Sequence, residues 1–143
     1  MAALRINIRN KMLQLVAALP GIGPDNVSPH KLDKVEKGNE ASVYLQVVDS
    51  QKGAMKGARE RELYVNVSLF LSDNTDAEAK GAELLNTLEA SVEAERKAGG
   101  FNDPSAISGV ELKSASVAHD PTSKGKRADT HATFLFKYTE QLA

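Results

Sequence analysis

The stretch Arg61–Ser72, RELYVNVSLFLS, alternates with a period of two. Leu63, Val65, Val67, Leu69 and Leu71 fall on one side, and Tyr64, Asn66, Ser68 and Phe70 on the other. A helix would scatter those five aliphatic side chains around its axis, whereas a strand collects them on one face. The middle of the chain is therefore committed to a β-strand with one buried and one partly solvated face. That is the condition of an antiparallel sheet. A layer of apolar side chains must cover the aliphatic face.

Two segments have the spacing to supply it. Leu4, Ile8, Met12, Leu15 and Leu19 recur at helical intervals, with Arg5, Arg9 and Gln14 between them. PGIGP at Pro20–Pro24 ends this helix, because neither residue type continues one well. The second helix, TDAEAKGAELLNTLEASVEAERKAGG, carries its stripe at Ala77, Gly81, Leu84, Leu88 and Val92, widened by Leu85. Thr75 and Glu78 form a capping-box pattern at its start, and Gly99 and Gly100 stop it.

Four further segments read as extended. Glu40–Asp49 alternates Val43, Leu45 and Val47 with Tyr44 and Gln46. Gly109–Asp120 and Ala128–Glu140 close the chain, the latter with Ala132, Phe134, Phe136 and Tyr138 on one face. Asn26–Val35 is weaker, and Pro29 confines it to an edge or an irregular arm. The order is α-β-β-β-α-β-β. It predicts an α+β fold, a mainly antiparallel sheet of four to five strands with two helices packed on one face, in one domain spanning residues 1–143. Apolar faces must stay together, so Val110 and Leu112 share a face with Phe134, Phe136 and Tyr138. Pairing Leu112 with Phe136 satisfies this. It also sets Ala118 opposite Thr130 and His119 opposite Asp129.

That register gathers His119, Asp129 and His131 on the outer face, types that can hold a metal or exchange a proton. Polar residues on a solvated strand explain them as well, and no carboxylate-rich segment joins them. His30 stands alone. PGIGP lacks the third glycine of a dinucleotide loop and follows a helix instead of a strand. KGAMKGARE has no G-K-S/T at phosphate-loop spacing, and no serine sits in a G-x-S-x-G elbow. Asp73, Asp76 and Glu78 complement the dipole of the second helix. With no cysteine, thiolate metal sites, disulfides and cysteine nucleophiles are excluded. The expectation is no catalytic residue, no metal site and no cofactor.

Net charge is −1, so an electrostatic partner must be met by a local patch. Two linkers offer one. DSQKGAMKGARER, Asp49–Arg61, is longer than the roughly two to five residues a hairpin needs and carries Lys52, Lys56, Arg59 and Arg61. PTSKGKR carries Lys124, Lys126 and Arg127. These seven are the candidate partner-binding residues. Neither linker has aromatic residues for base stacking, which leaves acidic protein surface or loose phosphate contact. No segment is long and apolar enough to span a bilayer, and Arg5, Arg9 and Lys11 interrupt the first helix, so a soluble intracellular protein is expected.

Taken together, LRINIRNKMLQLVAAL, the proline-bearing NVSPHKLDKVEKG, ASVYLQVVD, RELYVNVSLFLSDNTDAEAKGAELLNTLEASV and the closing ATFLFKYTEQ resemble the tail-terminator (tail-completion) proteins of long-tailed bacteriophages. The likeness is one of layout over nearly the whole chain, a long strand running straight into a capped helix. It implies a structural, non-enzymatic subunit of a closed ring, most often a hexamer, found in the virion tail or neck and in the host cytoplasm during assembly. The ring would sit on the last tail-tube ring, stop tube polymerisation and offer a surface to the head connector or neck. DNA passing through the ring could be contacted non-specifically; no membrane is implied. Another neck or tail-tube ring component is a close rival. A monomeric α+β module binding RNA or a small ligand through Tyr44, Tyr64 and Phe70 is a rival of another class.

Overall fold

The computed structural model describes residues 4–29, 40–48, 58–72, 76–98, 107–119 and 127–141. Helix α1 spans Leu4–Ala17 and helix α2 Ala77–Ala98; the strands are β1 Val27–Ser28, β2 Glu40–Val48, β3 Ala58–Ser72, β4 Ile107–His119 and β5 Arg127–Gln141. They form one five-stranded sheet in the order β1-β2-β3-β5-β4. All neighbours pair antiparallel except β1, which lies parallel to β2 at Val27↔Ala41 and Ser28↔Ser42. The fold is α+β with the expected alternation of helices and strands.

The alternation that opens the argument sets the core. Leu63, Val65, Val67, Leu69 and Leu71 of β3 are all buried, and the register sets them against Phe136, Phe134, Ala132, Thr130 and Ala128 of β5. Val43 and Ala41 of β2 continue this layer. Helix α2 covers it with the stripe its spacing predicts, Ala77, Gly81, Leu84, Leu88 and Val92, and Leu85 packs at the margin. Helix α1 buries Ile8, Met12 and Val16 fully, with Leu19 just beyond its end and Leu15 only partly covered. The stripe is turned from Leu15 toward Val16 because α1 wedges between β2 and α2 instead of lying on a flat sheet.

After α1 the chain turns through Gly21 and Gly23, both with positive φ (85° and 80°), a region open to glycine at little cost. The turn drives Ile22 into the core, 2% exposed, and the Asn26 amide donates to the Ile22 carbonyl at 2.7 Å.

The cap of α2 departs from the capping-box expectation. Asp76 precedes the first helical residue, and its Oδ1 accepts from the Ala79 amide at 3.0 Å. Asp76 is thus the N-cap; Thr75 and Asp73 lie outside the described residues. Glu78 sits in the first turn, and Arg96 and Lys97 in the last, each sign complementing the helix dipole. Near that end Arg96 donates to Glu93 at 2.7 Å, which holds the Glu93 carboxyl below its ordinary range. Replacing Asp76 with alanine is expected to cost about 1 kcal/mol, measured by chemical denaturation.

The pairing of β4 with β5 corrects the expected register. Leu112 faces Phe134, and Val110 faces Phe136, so the shared apolar face stands but the offset is two residues. A register shift between Leu112 and Ser114 then moves the pairing back by one residue, so that it ends one residue from the expected register, at Ala118↔Asp129 and His119↔Ala128. An interruption of this kind is invisible to alternation, because Lys113, Ser114 and Ser116 are all solvated and none signals a change of phase.

Candidate functional site

The two basic segments leave opposite ends of the sheet. Val48 of β2 pairs with Glu62, and Ala58 of β3 pairs with Gln141 of β5. At the far end, Ser72 of β3 pairs with Arg127 and His119 of β4 pairs with Ala128. The start of β3 at Ala58 and the start of β5 at Arg127 are thus separated by the length of β3. Lys52, Lys56, Lys124 and Lys126 lie outside the described residues. Arg61, as expected, and Arg59, which read as loop, both belong to β3 and pair with Tyr138 and Glu140. Strand β3 starts earlier than alternation suggests because β5 continues to Gln141 and supplies ladder partners that β2 lacks. Arg127 opens β5 with its side chain exposed.

The helix-free face of the sheet carries a second feature. Its rows cross the strands: Tyr44, Asn66, Thr133 and Ser114 stand in one, and Ser42, Ser68, His131 and Ser116 in the next. Ser42, Tyr44, Asn66, Ser68, Phe70, His131 and Thr133 line a depression of about 430 Å³. Ser68 Oγ and His131 Nδ1 are 2.9 Å apart, and the Thr133 hydroxyl donates to Asn66 Oδ1 at 2.8 Å. Phe70 meets the His131 ring edge-on, with centroids 6.2 Å apart. Ser42 is buried on this face, and its Oγ has no hydrogen-bond partner among the described residues. Among the described residues no Asp, Glu, Lys or Arg lines the depression. Alternation assigns those of β2, β3 and β5 to the outer face but would set Ser114 and Ser116 on the face of Leu112; the register shift and the lateral pairing bring the hydroxyl-bearing residues into adjacent rows.

The trio that the sequence-based register would gather does not assemble. His131 and Asp129 share the outer face of β5, but the register shift sets His119 opposite Ala128, out of phase with both. Among the described residues no three His, Cys, Asp or Glu side chains are placed to hold a metal ion. His30 lies outside the described residues. No described helix is long and apolar enough to cross a membrane.

The outer edges of the sheet complete the inventory. Among the described residues strand β1 pairs with β2 only at Ala41 and Ser42, and β4 is the last strand on its side. Core-facing aliphatics are fully covered on β3 but only half-buried at Leu45 of β2 and at Val110, Leu112 and Val117 of β4. Unpaired strand edges of this kind are templates for further pairing.

No protein-family model matches the chain, and no curated protein matches it. Among solved structures, the fold is similar to a chain of the virion of a native gene transfer agent (GTA) particle. The two share 13% sequence identity, the match covers 96% of each chain, and the TM-score is 0.51. At that identity the likeness is one of fold, and it extends over nearly the full length of both chains.

Proposed function

We propose that this protein is a non-enzymatic structural component of a phage-like virion, and that it acts as a tail terminator. The observation carrying this reading is the full-length likeness of fold to a chain of a gene transfer agent virion. The layout of the sequence points the same way. In this reading the 143 residues form one domain that assembles as a closed ring, most readily of six copies. One end of the ring meets the last ring of tail-tube protein and the other meets a head-connector or neck protein. A head-to-tail contact repeated about an axis closes into such a ring when its rotation closes.

Strand topology supports an axial division of labour. A subunit that caps one structure and receives another needs two distinct contact ends. Arg59 and Arg61, near the start of β3, and Arg127, at the start of β5, lie at opposite ends of the sheet; in this reading Lys52 and Lys56 act with the first pair, and Lys124 and Lys126 with Arg127. Each group would dock acidic protein surface, or meet DNA passing through the ring.

Negative-stain imaging of the purified protein tests the reading. Discrete rings that do not stack, and that bind the end of a preformed tail tube, are the expected result. Indefinite stacking would make it a tube component. A monomer that stays monomeric with tube protein present would overturn the ring role.

An RNA-binding reading has one observation in its favour: Tyr44, Tyr64 and Phe70 do share the outer face. The absence of basic residues from the lining of the depression beside Tyr44 and Phe70 speaks against it. Saturable single-stranded RNA binding with a steep salt dependence would reverse that judgement.

A further inference from the structure

The sheet ends in two unlike edges whose direction, length and apolar faces match. Strand β2 runs antiparallel to β3, β3 to β5, and β5 to β4, so β4 is antiparallel to β2. If β4 of one copy were laid along the outer edge of β2 in the next, the sheet would continue antiparallel with the helices of both copies on the same side. The stretch of β2 that β1 leaves uncovered among the described residues is Val43–Val48. The stretch of β4 in uninterrupted register after its shift is Ser114–His119. These two runs are equal in length.

Their faces agree as well. On β2 the core face carries Val43 and Leu45; after the shift on β4 it carries Ala115 and Val117, which pair with Ala132 and Thr130. Setting Leu45 opposite Val117 keeps both on the core side. It would bury two aliphatic side chains that the isolated subunit leaves half exposed. The same alignment sets Gln46 opposite Ser116 on the outer face, where both are exposed.

The helices above these edges carry opposite charge on their outward flanks. Helix α1 has Arg5, Arg9 and Lys11 and no acidic residue. Lys11 faces α2, its ammonium 3.8 Å from Glu95. Arg9, two residues earlier, lies about 200° around the helix and so points away from α2. On α2, Lys80 faces the end of α1: its Nζ donates to the Ser72 carbonyl at 3.3 Å and stands beside Gly21. Glu89 follows about two and a half turns later and so lies on the flank opposite Lys80. Each charge has a half-buried leucine four residues away on the same flank, Leu13 beside Arg9 and Leu85 beside Glu89.

We infer that the chain associates with further copies of itself head to tail. The outer edge of β4 (Ser114–His119) adds to the outer edge of β2 (Val43–Val48) of the neighbour, and the Arg9–Leu13 flank of α1 meets the Leu85–Glu89 flank of α2. The contact is heterologous, uses two different surfaces of each subunit, and leaves both basic ends of the sheet clear. It deepens the ring reading by assigning the surfaces through which the ring would close.

The absence of cysteine makes the test clean. The full-length chain carrying both Gln46→Cys and Ser116→Cys is oxidised and run on a non-reducing gel. A ladder of covalent multimers is expected, absent from either single variant and from a control pairing Gln46→Cys with the exposed but out-of-register Glu111→Cys. In parallel, Arg9→Glu and Glu89→Arg are compared by sedimentation. Each alone is expected to weaken association about fivefold, and the double variant, which restores opposite charges, to recover it. Rings in which neither the cysteine pair nor the charge changes matter would overturn this interface while leaving the ring reading standing. A chain that is monomeric at every concentration, alone and with tube protein, would overturn both.

Discussion

Truncating Phe136 to alanine is expected to lower the stability of the folded chain by about 4 kcal/mol. The side chain is fully buried. It sits on β5 between Leu63 of β3 and Val110 of β4, under the helical layer. Removing the ring deletes its transfer free energy. It also leaves a cavity that three paired strands cannot collapse to fill, because their backbone spacing is set by the ladders on both sides. A domain of this size has roughly 5–15 kcal/mol in total, so the variant would lose a large share of its margin. Urea denaturation with an unchanged slope and a lowered midpoint is the expected record. Thr133→Ala is the matched control: the same strand, the opposite face, one hydrogen bond to Asn66 lost, and a cost of about 1 kcal/mol. Equal losses for the two would mean that the core does not lie between the sheet and the helices.

Gly81→Val should be nearly as damaging, at about 3 kcal/mol, although a glycine inside a helix is ordinarily a weakness. The reason is proximity. A Cβ at Gly81 would collide with the Thr130 hydroxyl and lie 3.4 Å from Leu71 Cδ1. Helix α2 approaches β3 and β5 closely at this point because residue 81 has no side chain. Alanine at 81 would gain about 1 kcal/mol of helix propensity and lose it again to this contact. Combining either variant with Thr130→Ala removes the obstructing atoms and should recover part of the loss. A Gly81→Ala variant that is simply stabilised, with no coupling to residue 130, would refute the close-approach account.

Much of this architecture was legible before any coordinates. The period of two in Arg61–Ser72 and the i, i+4 stripe from Ala77 to Val92 depend on side-chain chemistry repeated at fixed intervals. Burial follows such repeats wherever one face must be dry. The places where expectation and structure part have local causes. Asp76 and Thr75 are both good caps in neighbouring positions, and one hydrogen bond decides between them. Arg59 reads as loop and Arg61 as the junction of loop and strand, yet the partner strand β5 extends far enough to take both into the ladder. Ile22 is a single apolar residue in a glycine-rich turn, too isolated to show as a pattern, and the turn geometry alone directs it inward. The candidate histidine and aspartate group failed on a one-residue shift beside Lys113, which no alternation records.

The amino-acid pattern thus determined which segments are helices and strands and which side of each is buried, because these depend on intervals within one segment. Tertiary structure alone decided what depends on intervals between segments. It set the rows of hydroxyl-bearing residues on the outer face, the placement of Arg59 and Arg61 at the end of the sheet opposite Arg127, and the antiparallel relation of β2 and β4. Lateral register and strand order join residues far apart in the chain. The free energy that selects them comes from packing the whole sheet against both helices at once.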